Sequence, residues 1–255
     1  LTANAGSVGA LKALNSAMGK ALHHYRMIAD GDRIAVGLSG GKDSLALMWL
    51  LAHRRTYVPV RYDLTAVHID PGFDNGVASA LAAHCQDRGY KVRVDYSDCG
   101  RVAHSAINRE NPCFLCARMR RKRLFEIAAE LDCNKVALGH TKDDLIATLL
   151  INMFYAGEIS TMMPSQSFFK GRFVLIRPLA LAEEDLIRRF ALEQGFPQFV
   201  NPCPSAGTSK RKQIKDMVDD LCRQNPKVRG NLFRAMGRVK TDYLPGDVHG
   251  HRRHH

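Results

Sequence analysis

Six consecutive residues, Ser39-Gly40-Gly41-Lys42-Asp43-Ser44, put two glycines, a cation, a carboxylate and two hydroxyls into one turn. An apolar run, Ile34-Ala35-Val36, leads into them, and a helical pattern from Leu45 to Leu51 leads out. Strand, glycine turn and helix in that order aim backbone N–H groups and a helix N-terminus at one point, which suits phosphate. Lys42 can neutralise phosphate charge, and Asp43 can help hold Mg2+, which prefers oxygen ligands. The turn is not the G-x-x-x-x-G-K-[ST] loop of common nucleotide sites. Val36 stands where that loop has its first glycine, and Asp43 stands where it has its hydroxyl.

Thiols form a second group. In Asn111-Pro112-Cys113-Phe114-Leu115-Cys116 a C-x-x-C precedes a helix expected over Arg118 to Leu131. Thiols near the positive end of a helix dipole have a lowered pKa and favour metal ligation or redox work. Three readings stay open. Structural zinc needs four ligands, and with no second C-x-x-C it would have to recruit Cys133 or His140. A redox dithiol belongs with a thioredoxin-like pattern, which is absent. The third reading recruits Cys203 from a distant loop, giving three thiolates that hold a 4Fe–4S cluster and leave one iron open. Cys85, Cys99, Cys133 and Cys222 read as ordinary core or half-buried cysteines.

A third motif, Leu138-Gly139-His140-Thr141-Lys142-Asp143-Asp144, ends a strand and opens a helix. Its two carboxylates read equally as helix caps or as ligands for Mg2+ or a substrate base. Two basic groups flank the cysteines: Arg118, Arg120, Arg121, Lys122 and Arg123 after the C-x-x-C, and Lys210, Arg211, Lys212 and Lys215 after Cys203. A basic run is usually a solvated helix face, but here both lie beside thiol loops and so point to a polyanion. The whole chain agrees: 37 Lys and Arg against 25 Asp and Glu leave a net charge of +12, which favours nucleic acid as partner.

The elements that must position these groups alternate. Strands are expected at Arg33 to Leu38, Arg61 to Ile69 (with His68 near its end), Lys91 to Tyr96, Lys135 to Leu138 and Phe173 to Ile176. Helices are expected over residues 10 to 29, to about His53, at Val77 to Arg88, at Asp143 to Tyr155 and at Glu183 to Glu193. Such alternation gives an α/β fold with a doubly wound, mostly parallel sheet. Beyond Gln194 the chain is rich in Pro and Gly, then helical again from a Ser209 cap to about Cys222 and from Arg229 to Val239. The expected organisation is a helical segment at 1–30, an α/β domain at 31–200 carrying the phosphate-binding turn, a helical extension at 201–245 carrying Cys203, and a mobile His/Arg-rich tail at 246–255.

No run approaches the roughly 18 apolar residues of a membrane span, and the first residues lack a secretory pattern. The chain opens on Leu1 and is read as trimmed or a fragment. Seven cysteines, an odd number, argue against a disulfide framework and for a reducing cytoplasm.

Taken together, these segments resemble the tRNA 2-thiolation branch of the PP-loop ATP pyrophosphatase superfamily, and within it the tRNA-cytidine 2-sulfurtransferase family. The resemblance runs from about Asp30 to Met236. It rests on Ser39–Ser44, Cys113 to Arg121, Ala137 to His140 with Asp143-Asp144, Asn152 to Tyr155 with Gly157, Ile176 to Leu179, and Pro202-Cys203-Pro204. It implies that ATP and Mg2+ sit at Ser39, Gly40, Gly41, Lys42, Asp43 and Ser44, with His68, Gly139 and His140 contributing. The pyrimidine C2 oxygen is then adenylated with release of pyrophosphate. Sulfide carried on a 4Fe–4S cluster held by Cys113, Cys116 and Cys203 attacks C2 and expels AMP. Asp144 and Asp43 take catalytic or metal-positioning roles, and Arg120 orients phosphate or substrate. The implied partners are tRNA and a sulfur donor such as a cysteine desulfurase, with no membrane; a homodimer stays open. The chain departs from the family at Ala147, where many relatives carry Glu or Gln, at the short segment Pro71-Gly72-Phe73, and at Ala206, where a further cysteine is common. A 2-thiouridine synthetase, a cluster-free PP-loop tRNA ligase and a non-catalytic RNA-binding module are the competing readings.

Overall fold

A computed structural model describes residues 5–73, 76–199, 203–204 and 209–245 of the chain. The expected tail at 246–255, together with Asn201, Pro202 and Ala206, lies outside the described residues.

Six strands form one sheet: β1 (Asp32–Leu38), β2 (Tyr62–Asp70), β3 (Val92–Tyr96), β4 (Lys135–Ala137), β5 (Ser165–Phe168) and β6 (Phe173–Ile176). Their spatial order is β3-β2-β1-β4-β6-β5, all parallel except β5, which runs antiparallel to β6. Ile34, Ala35 and Val36 of β1 are fully buried, as expected of a central parallel strand covered on both faces. The chain order reverses between β1 and β4. Above their carboxyl ends lies the crevice where doubly wound sheets bind ligands.

Nine α-helices are described: α1 (Ala5–His24), α2 (Lys42–Arg54), α3 (Val77–Asp87), α4 (Cys99–Ala103), α5 (Pro112–Glu130), α6 (Lys142–Tyr155), α7 (Glu184–Glu193), α8 (Lys210–Gln224) and α9 (Val228–Ala235). Leu14 and Met18 of α1, Leu47 and Leu51 of α2 and Phe190 of α7 are buried in one core on one face of the sheet. On the other face Leu124, Phe125 and Ile127 of α5 pack with Val136 and Leu175. A third apolar cluster joins Ile146, Ala147 and Leu150 of α6 to Ile214 and Val218 of α8. It docks the C-terminal helices beside the crevice, and Ala147 belongs to that contact instead of presenting a polar group.

One expectation needs correction, and two elements have no counterpart in the sequence reading. The helix expected from Arg118 starts at Pro112, because Asn111 caps it by accepting from the Phe114 N–H at 3.2 Å and proline suits the first helical position. Cys113 and Cys116 are therefore helical residues in its opening turns. Strand β5, Ser165-Gln166-Ser167-Phe168, has one apolar residue and so no strand pattern of its own, and its pairing with β6 makes it a strand. Short α4 was likewise unexpected, with Gly100 and Arg101 inside it.

Candidate active site

The turn after β1 is built for a close-approaching ligand. Gly40 has φ +82°, a left-handed conformation that glycine adopts without strain. The Ser44 hydroxyl donates to the Gly41 carbonyl at 2.8 Å and accepts from the Ser39 N–H at 3.2 Å, which folds the turn back on the first turn of α2. Gly41 is the N-cap of α2 and supplies no side-chain cap, so the positive end of the helix is left to a ligand. From the neighbouring strand, Gly139 passes so close that a Cβ on it would lie 2.9 Å from the Asp43 carbonyl oxygen. Only a hydrogen at that position lets the two loops touch.

Between these loops and α5 lies a cavity of about 320 Å3. Ser39, Asp43 and Ser44 line it from the first loop; Gly139, His140 and Asp144 from the second; Arg120 and Arg121 from α5; and Val67, Ile69 and Leu124 give it an apolar wall. Eight of the residues singled out in the sequence thus meet: Ser39, Asp43, Ser44, Arg120, Gly139, His140 and Asp144, with Arg121 from the basic run. His68 does not line the cavity, although Val67 and Ile69 on either side do. Its Nδ1 lies 2.9 Å from the Leu38 carbonyl, which can only accept, so the hydrogen sits on Nδ1 and buried Nε2 is an unpartnered acceptor. Lys42 points away, into a neighbouring cleft.

Burial and charge set the protonation states. Burial raises the Asp43 carboxyl above its ordinary value despite the opposing Lys42 ammonium, and Asp43 Oδ1 is buried without a partner. Burial also pushes Asp144 up, but Lys215 outweighs it and holds the carboxyl below the usual range. Asp144 does two jobs. Oδ2 accepts from the Thr141 N–H at 3.0 Å in a capping box, and Oδ1 pairs with Lys215 at 2.9 Å. His140 is pulled down to about 4, first by burial and then by Arg177, so it is neutral at physiological pH.

The adjoining cleft, about 490 Å3, is walled by α6, α7 and α8. Lys42 Nζ lies 2.6 Å from Glu184 and 3.1 Å from Asp43, and Lys215 Nζ lies 2.6 Å from the other Glu184 oxygen. Asp143 takes the Glu184 N–H at 2.7 Å and pairs with Arg229 at 2.9 Å. Adjacent Asp143 and Asp144 therefore serve different sides of the site. Glu184, Arg229 and buried Arg177 carry no role in the sequence reading, and Lys215 enters it only as a member of the second basic group. Only the position of Glu184 at the head of a helix after Arg177-Pro178-Leu179 hinted at one.

The basic runs divide. Arg120 and Arg121 face the cavity, Arg118 bonds Glu110 at 3.0 Å, and Arg123 is committed to Asp95 at 2.7 and 2.9 Å. Arg123 is thereby withdrawn from the phosphate contact expected of the run. Of the second run, Lys215 turns inward while Lys212 pairs with Asp216 along the helix at 2.6 Å and Lys210 lies over the Tyr155 ring.

Among the thiols, Cys116 is placed within electrostatic reach of Cys203, and Cys113 lies exposed one turn earlier on α5. Cys99 corrects the sequence reading: it is buried, but in hydrogen-bonding contact with Cys116, and that contact draws it down to about 6 and pushes Cys116 up. His104 Nε2 stands 3.8 Å from Cys203 Sγ. Neither proposed completion of a zinc site joins them. Cys133 is buried in the core at the amino end of β4, and His140 belongs to the cavity. Among the described residues, no three His, Cys, Asp or Glu side chains converge as ligands of one metal ion. A cluster makes a different demand, since its thiolates bind separate irons, and a set of soft thiols from α5 and the 203–204 loop suits it chemically.

Residues 12–218 match the PP-loop domain family. A tRNA-cytidine(32) 2-sulfurtransferase of Syntrophotalea carbinolica is 38% identical over 229 residues, covering 89% of this chain and 88% of the relative. That of Geobacter sulfurreducens is 38% identical over 241 residues, covering 91% and 92%. Among solved structures, the U34-tRNA thiolase NcsA of Methanococcus maripaludis with its [4Fe-4S] cluster superposes with a TM-score of 0.76 at 24% identity, over 94% of this chain and 82% of that one. The last likeness is one of fold.

Proposed function

Because the chain belongs to the PP-loop family and, within it, to the tRNA-cytidine(32) 2-sulfurtransferases, we propose that it is an ATP-dependent tRNA sulfurtransferase converting cytidine 32 of the anticodon loop to 2-thiocytidine. The observation that carries this reading is one cavity with the phosphate-binding turn and Asp144 on one side and the arginines of the cysteine-bearing helix on the other.

ATP suits the first side. Gly40 and the uncapped start of α2 accept phosphate oxygens. The buried Asp43 Oδ1 lacks a partner that Mg2+ would supply, and His140, whose Nδ1 is likewise unpartnered, lines the same cavity. Asp43 and Asp144 are the carboxylates that would hold Mg2+, whose chemistry is to neutralise phosphate charge. Arg120 and Arg121 orient the α-phosphate and the incoming nucleotide, and Lys42 compensates charge on the departing pyrophosphate. The C2 oxygen of cytidine attacks the α-phosphorus, pyrophosphate leaves, and C2 now carries AMP as a leaving group. Neutral His140 neither repels the arginines nor competes with Mg2+.

Cys113, Cys116 and Cys203 are the thiols that would hold a 4Fe–4S cluster. When bound, it supplies an iron without a protein ligand, on which sulfur can be carried to C2. The sulfur originates from a donor such as a cysteine desulfurase, in the cytoplasm where tRNA is modified. Among the described residues, no helix is long and apolar enough to cross a membrane.

The test is anaerobic reconstitution with iron and sulfide. Wild type should gain a visible charge-transfer band and about four irons and four sulfides per chain. Cys203→Ala should gain neither yet bind ATP as wild type does. A wild-type protein that stays colourless, or loss of ATP binding in Cys203→Ala, would overturn the reading.

A further inference from the structure

The PP-loop turn does not account for all the charge around the nucleotide site. Asp43, Lys42, Glu184, Lys215 and Asp144 form a continuous chain of ion pairs with links of 3.1, 2.6, 2.6 and 2.9 Å. Three anions and two cations alternate, and both ends of the chain line the cavity. Its middle is Glu184, which holds one lysine on each carboxylate oxygen. Lys215 comes from α8, in the C-terminal extension, and is anchored there by the contact of Ile214 and Val218 with α6.

Mg·ATP is complementary to this arrangement in both signs. It brings a divalent cation for the carboxylates, one of which has a buried oxygen, Asp43 Oδ1, without a partner. It also brings phosphate oxygens for the ammonium groups. Exchange of partners gives the two ammonium groups phosphate oxygens while Mg2+ takes over the carboxylates beside the cavity, which matters in a partly buried site where an unpaired charge is costly. Lys42 begins α2 and Lys215 lies across the cleft from it, so the two ammonium groups flank the route by which a β,γ-diphosphate leaves the turn.

We propose that Lys215 is a ligand of the β and γ phosphates of ATP, and of the pyrophosphate they become, exchanging Glu184 and Asp144 for phosphate oxygens as Mg·ATP binds. This rests on the ATP-dependent reading above and adds a residue from outside the turn to the nucleotide site. The nucleoside and α-phosphate do not depend on it.

Calorimetric titration of Mg·ATP and of AMP into wild type, Lys215→Met and Lys215→Arg tests the assignment. Loss of a charge-assisted contact should weaken ATP binding about 10- to 100-fold in Lys215→Met. AMP affinity should be unchanged, and Lys215→Arg should recover most of the loss. AMP binding also reports that the variant is folded. Equal losses for ATP and AMP would mean that Lys215 only supports the structure, and unchanged ATP binding would mean that phosphate never meets it; either overturns the proposal while leaving the sulfurtransferase reading intact. Wild type that binds neither nucleotide sinks both.

Discussion

Replacing Gly139 by alanine tests whether the two loops of the site are held in register by their contact. The new Cβ would stand 2.9 Å from the Asp43 carbonyl oxygen, 3.0 Å from the Asp43 carbonyl carbon and 3.0 Å from the Ser44 nitrogen. Ordinary carbon contacts begin near 3.4 Å. One loop must therefore retreat by about half an ångström, and the atoms in its way are backbone, not the end of a flexible side chain. Overpacking of this kind costs about 1–3 kcal/mol. For a domain of this size about 2 kcal/mol lowers Tm by roughly 4–8 °C. The retreat also pulls Asp43 away from Asp144 and spoils the turn for phosphate. A further loss of about 1.4 kcal/mol at the transition state would show as tenfold in kcat/KM for ATP. Thermal melts and ATP titrations on the same preparation read both effects. Gly9→Ala is the control: nothing lies within 4 Å of its Cβ, and α1 should gain slightly from alanine. A Gly139→Ala protein with wild-type Tm and ATP affinity would refute the close-approach argument.

Two further outcomes follow from charges placed by the fold. Arg123→Ala removes the partner of Asp95, whose carboxyl the Arg123 hydrogen bond holds below its usual value. The Asp95 side chain is 12% exposed and Arg123 31%, so the cost should fall between surface and buried pairs, about 2 kcal/mol, with sulfurtransfer per folded molecule unchanged. Because that pKa is depressed by folding, the stabilisation is present above the ordinary value of 3.8 and is lost as pH falls through the folded value; melts of the two proteins should converge in acid, and a gap independent of pH would contradict the assignment. His140, lowered to about 4, should show no imidazole titration by NMR between about pH 8 and pH 5, and a midpoint near the ordinary 6.5 would show that the site is wetter than described.

Much of this site is legible in the chain because its parts are local. Ser39 to Ser44 couple a strand end to a helix start within one turn, and Leu138 to Asp144 do the same; periodicity locates both and the parallel sheet then brings them side by side. Charge was less readable. Arg120 and Arg123 are neighbours in one basic run, yet helical geometry sends one to the cavity and the other to Asp95. Glu184 and Lys215 meet Lys42 only through the docking of α7 and α8, a long-range event with no local pattern. Cys99 reads as a core cysteine by composition, and its meeting with Cys116 depends on a helix of five residues that no periodicity announces. The start of α5 at Pro112 is hidden in the chain because its polar and cysteine-rich first turns bury little, the buried residues beginning only at Leu124.

Cluster-reconstituted protein would be incubated anaerobically with Mg·ATP, sulfide and a tRNA bearing cytidine at position 32, the site named for the relatives. Nucleosides from the digested tRNA would then be resolved by mass spectrometry. The sulfurtransferase reading requires 2-thiocytidine at that position, dependent on ATP and accompanied by one AMP and one pyrophosphate per sulfur inserted. Thiolation that proceeds without ATP, or that falls on uridine while cytidine 32 stays unmodified, would contradict it.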